Sequence, residues 1–411
     1  MPIITIFSGM FCAEDELLNE LVRQTGYTLL RDMDIVYAAS TLSKLSVNKI
    51  EKAFSAKTSV FNKFTHERER SIAYLKAALA ELLFQDNLIL GGFSAHLVPR
   101  EVSHALRICL IADIKSRISI AEQQKKISPA EAAKLIRSMD EDRAVWINTI
   151  YQEKDPWNPS LYDIVAPVDK MKQEEIVHLI TDNAKKDILK TSKRSQKALE
   201  DFKLSAAVEV ALTNEGHNIS VKADNGNVTL TINKHVLLLN RLEEELKSLA
   251  GGVPGVKNIQ TKVGQEFYQA DIYRRCNFEL PTKILLVDDE REFVQTLSER
   301  LLIRDMGSAV AYDGESALEL IREDEPEVMI LDLRMPGIDG IEVLKRVKQT
   351  NPYIEVIILT GHGSELDKET CMKLGACAYL QKPVDIDELS ETIKQANERI
   401  RLKHGRQTEP S

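Results

Sequence analysis

The sequence contains few of the features that direct a chain to a membrane, to the cell exterior or to nucleic acid. No apolar run approaches the roughly 20 residues that a membrane-spanning helix needs. No basic segment precedes an apolar stretch at the N-terminus, as it would in a secretory signal. The five cysteines form no CxxC pair and no zinc-ligand spacing, which suits a reducing compartment. The net charge of -9 argues against a broad nucleic-acid surface, so we expect a cytoplasmic protein.

The size and composition of the chain indicate a globular protein with several domains. Its 411 residues are too many for one ordinary core, and about two to four domains are expected. The hydrophobic share of 43% and the charged share of 28% are typical of globular proteins. One local excess of positive charge could be a basic patch or a solvated helical linker. Its residues are Lys185, Lys186, Lys190, Lys193, Arg194 and Lys197.

Short apolar runs in the last third of the chain each lead directly to a polar residue. Because these runs alternate with helical segments, they indicate a parallel sheet covered by helices on both faces. The carboxyl ends of the strands in such a sheet meet in one crevice, so the polar side chains should converge there. These residues are Asp288, Asp289, Asp332, Thr360 and Lys382.

The chemistry of this set predicts a site for phosphoryl groups. Neighbouring carboxylates repel one another unless a cation lies between them. Oxygen ligands without His or Cys favour Mg²⁺, beside which a carboxylate can attack phosphorus and form an acyl phosphate. The metal and an ammonium group neutralise the transferred charge. Lys382 would supply that ammonium, and Thr360 would supply a hydroxyl donor to one phosphoryl oxygen.

Residues 282–402 also resemble a response-regulator receiver domain. The resemblance rests on the acidic pair within residues 286–290, the segment 331–340, the turn 359–363 and the pair Lys382-Pro383. It implies a flavodoxin-like doubly wound fold with a cis Lys-Pro peptide. A histidine kinase or phosphotransfer protein would be the partner that supplies the phosphoryl group.

The same resemblance assigns a role to each site residue. Asp332 would be the phosphorylated residue, and Asp288, Asp289 and Asp332 would hold Mg²⁺. The backbone carbonyl of Arg334 would be a further metal ligand. Tyr379, three residues before the lysine, falls at the aromatic switch position of the family. His362 is expected to be an ordinary loop residue after the threonine.

Residues 1–190 are predicted to form another α/β domain, whose first loop lacks what a P-loop requires. A P-loop wraps phosphates with glycine-rich backbone and reaches them with a lysine. Here Gly9 is the only glycine between the first strand and the first helix, and no lysine follows it. Glu14, Asp15 and Glu16 come next and would repel phosphates.

The rest of this domain resembles the cytidylate-kinase-like family, most clearly over residues 128–143. The resemblance implies a P-loop-kinase-like fold in which Asp140 and Arg143 lie on a lid helix and the arginine meets phosphates. The alternative is a surface ion pair between these two residues. Gly91-Gly92-Phe93 departs from the Gly-Arg-Gly-like turn of the family. Because of these departures we interpret the domain as a degenerate kinase fold, since a shared fold does not by itself imply a shared function.

Residues 191–266 predict a small α+β domain. A helix precedes two alternating strands, Asn225-Gly226 lies at a hairpin turn, and a helix and a third strand follow. This order is similar to a BON domain, which implies binding of lipid or protein. Residues 267–281 read as a linker, and residues 403–411 as a disordered polar tail.

The sequence as a whole therefore predicts an α/β multidomain response regulator with no evident DNA-binding domain. Its output would lie in the N-terminal domains, and its only expected enzymatic activity is phosphorylation and dephosphorylation of the receiver. Two alternatives stay open, namely a receiver-regulated nucleoside monophosphate kinase and a phosphate sink or scaffold. A homodimer through the receiver, and nucleotide or lipid binding by the other domains, are also left open.

Overall fold

The computed structural model describes residues 2–85, 87–233, 239–264, 281, 283–304, 306–361 and 363–405. His362, almost all of the predicted linker and residues 406–411 lie outside this range. The chain divides into two compact units. The second unit contains residues 59–66, residues 215–217 and the described residues from Pro281 onward. None of the described helices is long and apolar enough to cross a membrane.

The N-terminal part of the chain forms a parallel sheet, as its β-branched apolar runs predict. Its strands are β1 Ile3–Ser8, β2 Thr28–Arg31, β3 Leu88–Gly91, β4 Ala105–Ile111 and β5 Ile164–Pro167. They are ordered β2-β3-β1-β4-β5, and every pairing is parallel. The sequence pattern predicts strands near Ile3, Asn87 and Ala105, which β1, β3 and β4 confirm, whereas β2 and β5 are additions.

Helices cover this sheet, and their ends follow capping rules. These helices are α1 Glu14–Thr25, α2 Asp32–Ser43, α3 Val47–Glu51, α5 Glu67–Leu82, α6 Ile114–Lys125, α7 Pro129–Tyr151 and α8 Gln173–Ala184. The short helix α4 Asn62–Thr65 belongs to the second unit. Helix α1 begins at Glu14 and ends at Thr25, the bounds that the sequence pattern predicts. Helix α7 begins with a capping box between Ser128 and Glu131, and Pro129 occupies its first turn, where no backbone donor is needed.

A small three-stranded sheet follows in the same unit. Its elements are α9 Lys193–Asn214, β6 Ser220–Asp224, β7 Asn227–Ile232, α10 Leu239–Gly251 and β8 Asn258–Val263. Strands β6 and β7 pair antiparallel and β7 and β8 pair parallel. Asn225 and Gly226 both have positive φ, as a tight hairpin turn requires. The predicted order of elements is confirmed. The sequence pattern predicts strands from His217 and Gly255, and β6 and β8 each begin three residues later.

The C-terminal part of the chain has the strand order of a flavodoxin-like fold. Its strands are β9 Ile284–Val287, β10 Ser308–Ala311, β11 Val328–Leu331, β12 Glu355–Thr360 and β13 Ala378–Gln381. Their order is β10-β9-β11-β12-β13, with every pairing parallel. The helices are α11 Arg291–Ile303, α12 Gly314–Glu323, α13 Gly340–Thr350, α14 Glu365–Lys373 and α15 Ile386–Gly405. Because α15 continues to Gly405, residues 403–405 are helical, not part of a disordered tail.

A segment distant in sequence completes the second unit. Phe61 is fully buried and belongs to the same apolar cluster as Leu285 on β9. The hydroxyl of Ser59 donates a hydrogen bond to the carboxylate of Asp324. That carboxylate also pairs with the buried ammonium of Lys283, at an N–O distance of 2.9 Å. The core of this unit therefore draws on residues outside 282–402.

Candidate phosphorylation site

Three carboxylates meet at the carboxyl edge of the C-terminal sheet. Asp288 and Asp289 follow β9, and Asp332 follows β11. One oxygen from each carboxylate lies within 4.8 Å of the others. Asp288 and Asp332 are buried, whereas Asp289 is exposed. The structure therefore brings together the predicted acidic residues, and their donor set suits a hard divalent cation.

Lys382 reaches into this cluster from the end of β13. Its Nζ lies 2.7 Å from Oδ2 of Asp288 and 3.3 Å from Oδ2 of Asp332. It also lies 2.9 Å from Oε1 of Glu290, a partner that the sequence did not reveal. The ammonium stands 4.4 Å from the ring centroid of Phe293, within cation–π range. The Lys382–Pro383 peptide is cis, as predicted.

Burial and the opposite charge of the partner have opposing effects on the pKa of each group in this ion pair. Burial raises the pKa of Asp288 above its ordinary value, although the hydrogen bond from Lys382 opposes that rise. Burial lowers the pKa of Lys382, but its hydrogen bonds to Asp288 and Glu290 outweigh burial and raise it overall. The lysine is therefore charged at neutral pH, and it offsets part of the carboxylate repulsion.

The backbone fixes the orientation of Asp332. Its Oδ1 accepts a hydrogen bond of 2.7 Å from the backbone N–H of Leu333. A Cβ on Gly340 would lie 2.2 Å from the carbonyl oxygen of Asp332, so only glycine fits there. Oδ2 faces the ammonium of Lys382. The backbone of the loop and the ammonium of Lys382 thus each contact one oxygen of the Asp332 carboxylate.

Thr360 and Tyr379 lie on neighbouring strands. Thr360 ends β12 and is fully buried. The hydroxyl of Tyr379 is also buried and has no hydrogen-bond partner among the described residues. It packs against the turn after Thr360, because a Cβ on Gly363 would lie only 1.6 Å from its oxygen. The ring is therefore turned inward, and Gly363 is the residue that makes room for it.

Arg334 lies beside Asp332. Its backbone N–H is 3.4 Å from Oδ1 of Asp332, and its guanidinium is 3.9 Å from the carboxylate of Asp367. The role of its carbonyl as a metal ligand stays a prediction.

The N-terminal domain uses its first loop differently from a P-loop. The carbonyl oxygens of Ser8 and Met10 accept hydrogen bonds from Arg143 and Arg117, at 2.6 and 2.8 Å. A P-loop instead points backbone N–H groups at phosphates. The alternative of a surface ion pair between Asp140 and Arg143 is not what forms. Asp140 pairs through two hydrogen bonds with Arg117, while Arg143 is buried.

Two carboxylates take up the space at the carboxyl edge of this first sheet. Glu14 accepts a hydrogen bond from the hydroxyl of Ser8. Asp32 accepts hydrogen bonds of 2.9 and 2.7 Å from the backbone N–H groups of Phe93 and Ser94. Burial raises the pKa of both carboxyls, and their mutual repulsion adds to the rise at Glu14. In their ionised form these two carboxylates would repel a phosphate at this edge of the sheet.

Family models match both of these regions. The response regulator receiver domain matches residues 284–394, and the cytidylate kinase-like family matches residues 3–170. The resemblances to the receiver domain and to the cytidylate-kinase-like family are therefore confirmed, whereas the BON-like resemblance stays a prediction.

Individual relatives match the receiver region. Transcriptional regulatory protein CpxR of Escherichia coli is 45% identical over 112 residues, which are 27% of this chain and 47% of that protein. The chain thus spans about half the length of that relative. Sporulation initiation phosphotransferase F of Bacillus subtilis is 39% identical over 113 residues, which are 27% of this chain and 90% of that protein. A solved receiver domain from Clostridium thermocellum is 36% identical, with a TM-score of 0.29 over 29% of this chain and 97% of its own. Through its C-terminal region this chain belongs to the response-regulator receiver family.

Proposed function

We propose that the whole protein is a two-component response regulator that accepts a phosphoryl group on Asp332 and switches the output of its N-terminal domains. The observation that carries the proposal is the convergence of Asp288, Asp289 and Asp332 on the ammonium of Lys382. The phosphoryl donor would be a histidine kinase or a phosphotransfer protein.

The chemical step is a displacement at phosphorus. An oxygen of Asp332 forms a bond to phosphorus while the bond from phosphorus to the donor imidazole nitrogen breaks. The imidazole leaves with the electron pair. Lys382 already lies beside Oδ2, so its charge faces the transferred group, and Thr360 would donate its hydroxyl to one phosphoryl oxygen. Attack of water on phosphorus later regenerates the carboxylate and releases phosphate.

Asp288, Asp289 and Asp332 fit a magnesium ion, because they offer carboxylate oxygens within reach of one another and no nitrogen or sulfur ligand. Mg²⁺ would neutralise the developing charge on the transferred group. Arg334 would complete the protein ligands with its carbonyl oxygen.

The output would lie upstream of the receiver. We assign the small sheet of β6, β7 and β8 to a BON-like binding module for lipid or protein, and we treat the first domain as a degenerate kinase fold. A homodimer through the receiver and a cytoplasmic location belong to the same proposal. A receiver-regulated nucleotide kinase is the rival function, and a phosphate sink or scaffold is the other.

Labelling tests the phosphorylation site. Acetyl phosphate with Mg²⁺ should add one phosphoryl group to the full chain, as seen by intact mass. Asp332→Asn keeps the side-chain shape but removes the nucleophile, so labelling should vanish. Asp339→Asn is the matched control, since Asp339 caps α13 and asparagine caps equally well. Unchanged labelling in Asp332→Asn would overturn the assignment.

A further inference from the structure

The carboxyl edge of the first sheet contains a cavity that the proposed phosphorylation does not use. Its volume is about 200 Å³, and it opens where β1, β2 and β3 end. Ligands of open parallel sheets bind at this edge. Both signs of charge line the cavity, through Glu14, Asp15, Asp32, Arg31 and Arg143.

Some of these charges are already paired within the protein. Arg31 forms an ion pair with Asp15. Asp32 accepts two backbone hydrogen bonds through separate oxygens. The side chain of Glu14 has a single partner among the described residues, the hydroxyl of Ser8. Glu14 is therefore an acceptor with unused capacity and no neutralising cation at hydrogen-bond distance.

Arg143 supplies an unused donor at the same cavity. Its side chain belongs to a residue only 8% exposed. Nε donates to the carbonyl of Ser8 and Nη1 to the carbonyl of Met139, at 2.6 and 2.8 Å. Nη2 has no hydrogen-bond partner within the described part of the chain. The ring of Phe93, with its centroid 5.3 Å from Cζ, helps to hold the guanidinium in place.

Nη2 of Arg143 keeps donor capacity for a ligand, and the half-buried carboxylate of Glu14 keeps acceptor capacity at the same cavity. One ligand can satisfy both when it carries a carboxylate for Nη2 and an ammonium for Glu14. Phosphates lack the ammonium and would face Glu14 and Asp32 directly. From these contacts we infer that the cavity binds a small zwitterion of the α-amino acid class.

The glycines of the neighbouring turn are consistent with a cavity that must stay open. A Cβ on Gly91 would lie 3.2 Å from Oε1 of Glu14 and 2.8 Å from Leu18. A Cβ on Gly92 would lie 2.2 Å from Oδ2 of Asp32, and its φ of 104° is itself unfavourable for other residues. Side chains at this turn would displace the carboxylates that face the ligand.

Calorimetric titration of the full chain tests the inference. The probes are each of the proteinogenic amino acids, together with putrescine, acetate, inorganic phosphate and ATP. At least one amino acid should bind with a dissociation constant below about 1 mM, whereas putrescine and acetate each lack one charge and should bind at least about tenfold more weakly. Failure of every amino acid to bind, or binding of phosphate or ATP in their place, would overturn it.

Variants locate the binding. Glu14→Gln removes the charge at constant shape and should weaken amino-acid binding at least about tenfold, the usual effect of losing a charged hydrogen bond. Glu16→Gln is the matched control on the exposed side of the same helix turn and should bind as the parent does. Arg143→Lys should also weaken binding, with circular dichroism confirming its fold. Equal affinity in Glu14→Gln and the parent would place any ligand elsewhere and refute the proposal.

Discussion

The ammonium of Lys382 lies 2.7 Å from the carboxylate of Asp288, and both side chains are nearly excluded from solvent. A buried carboxylate that loses its cation is left with the full cost of desolvation. The same ammonium is also the group that faces the phosphoryl acceptor. These two consequences of one contact can be separated by experiment.

Lys382→Met should slow acetyl phosphate labelling of Asp332 at least about tenfold, because a charge-assisted contact to the transferred group is lost. Labelling followed over time by intact mass measures the rate. Lys373→Met is the control, since Lys373 is an exposed lysine on α14. A rate equal to that of the parent would show that Lys382 only holds the acidic residues in place.

Gly363→Ala should force Tyr379 out of its inward position, because the new Cβ would lie 1.6 Å from the tyrosine oxygen. Nitration of Tyr379, mapped by peptide mass spectrometry, should increase several-fold. Gly361→Ala is the matched control, since its Cβ would meet nothing closer than 3.9 Å. Equal nitration in the two variants would show that Gly363 does not set the ring position.

Beryllofluoride with Mg²⁺, which mimics the phosphoryl group, should change the mass or shape of the protein in solution. The physical reason is that new acceptor oxygens beside Thr360 bias its position and that of Tyr379 between discrete arrangements. Sedimentation measures the change, and Tyr379→Ala should abolish it. If the parent shows no change, the phosphate-sink alternative gains support.

The first domain should not transfer phosphate from ATP to CMP, dCMP or UMP at a useful rate. Loop carbonyls already accept hydrogen bonds from Nε of both Arg143 and Arg117, and Glu14 lines the cavity that phosphates would enter. A coupled assay should show turnover well below the roughly 1–100 s⁻¹ of ordinary kinases. An active cytidylate kinase in the same assay is the positive control, and turnover in its range would support the rival function.

Glu14→Gln should raise the melting temperature at about pH 8 and have no such effect at about pH 4. Burial raises the folded pKa of Glu14 above its ordinary 4.5, so the folded state favours the neutral form. The stability from this group is fully present below the unfolded pKa and is lost as pH rises through the folded pKa. Glutamine keeps the neutral form at every pH. Glu16→Gln should show no such pH-dependent gain, and an unchanged melting temperature for Glu14→Gln at both values would contradict the prediction.

Sequence patterns predicted that Asp288, Asp289, Asp332 and Lys382 would converge, and they do so because each comes just after a strand of one parallel sheet. They missed β10, whose segment Ser308–Ala311 contains only small residues and one valine. Helical spacing also suggested, as an alternative, a surface ion pair between Asp140 and Arg143. In the fold Asp140 pairs with Arg117, which is distant in sequence, whereas Arg143 donates its hydrogen bonds to backbone carbonyls. Such tertiary partners leave no periodic signal in the chain.

The core around the receiver of this protein includes Phe61, which lies outside the residues that match the receiver family. A chimera that joined residues 282–402 to a different output domain would lack this ring, and the cluster around Leu285 and Ala317 would contain a hole. Loss of a buried phenylalanine ring typically costs about 3–5 kcal/mol, a large part of the stability of a small domain. Recombination between genes would therefore have to carry the segment around Phe61 along with the receiver.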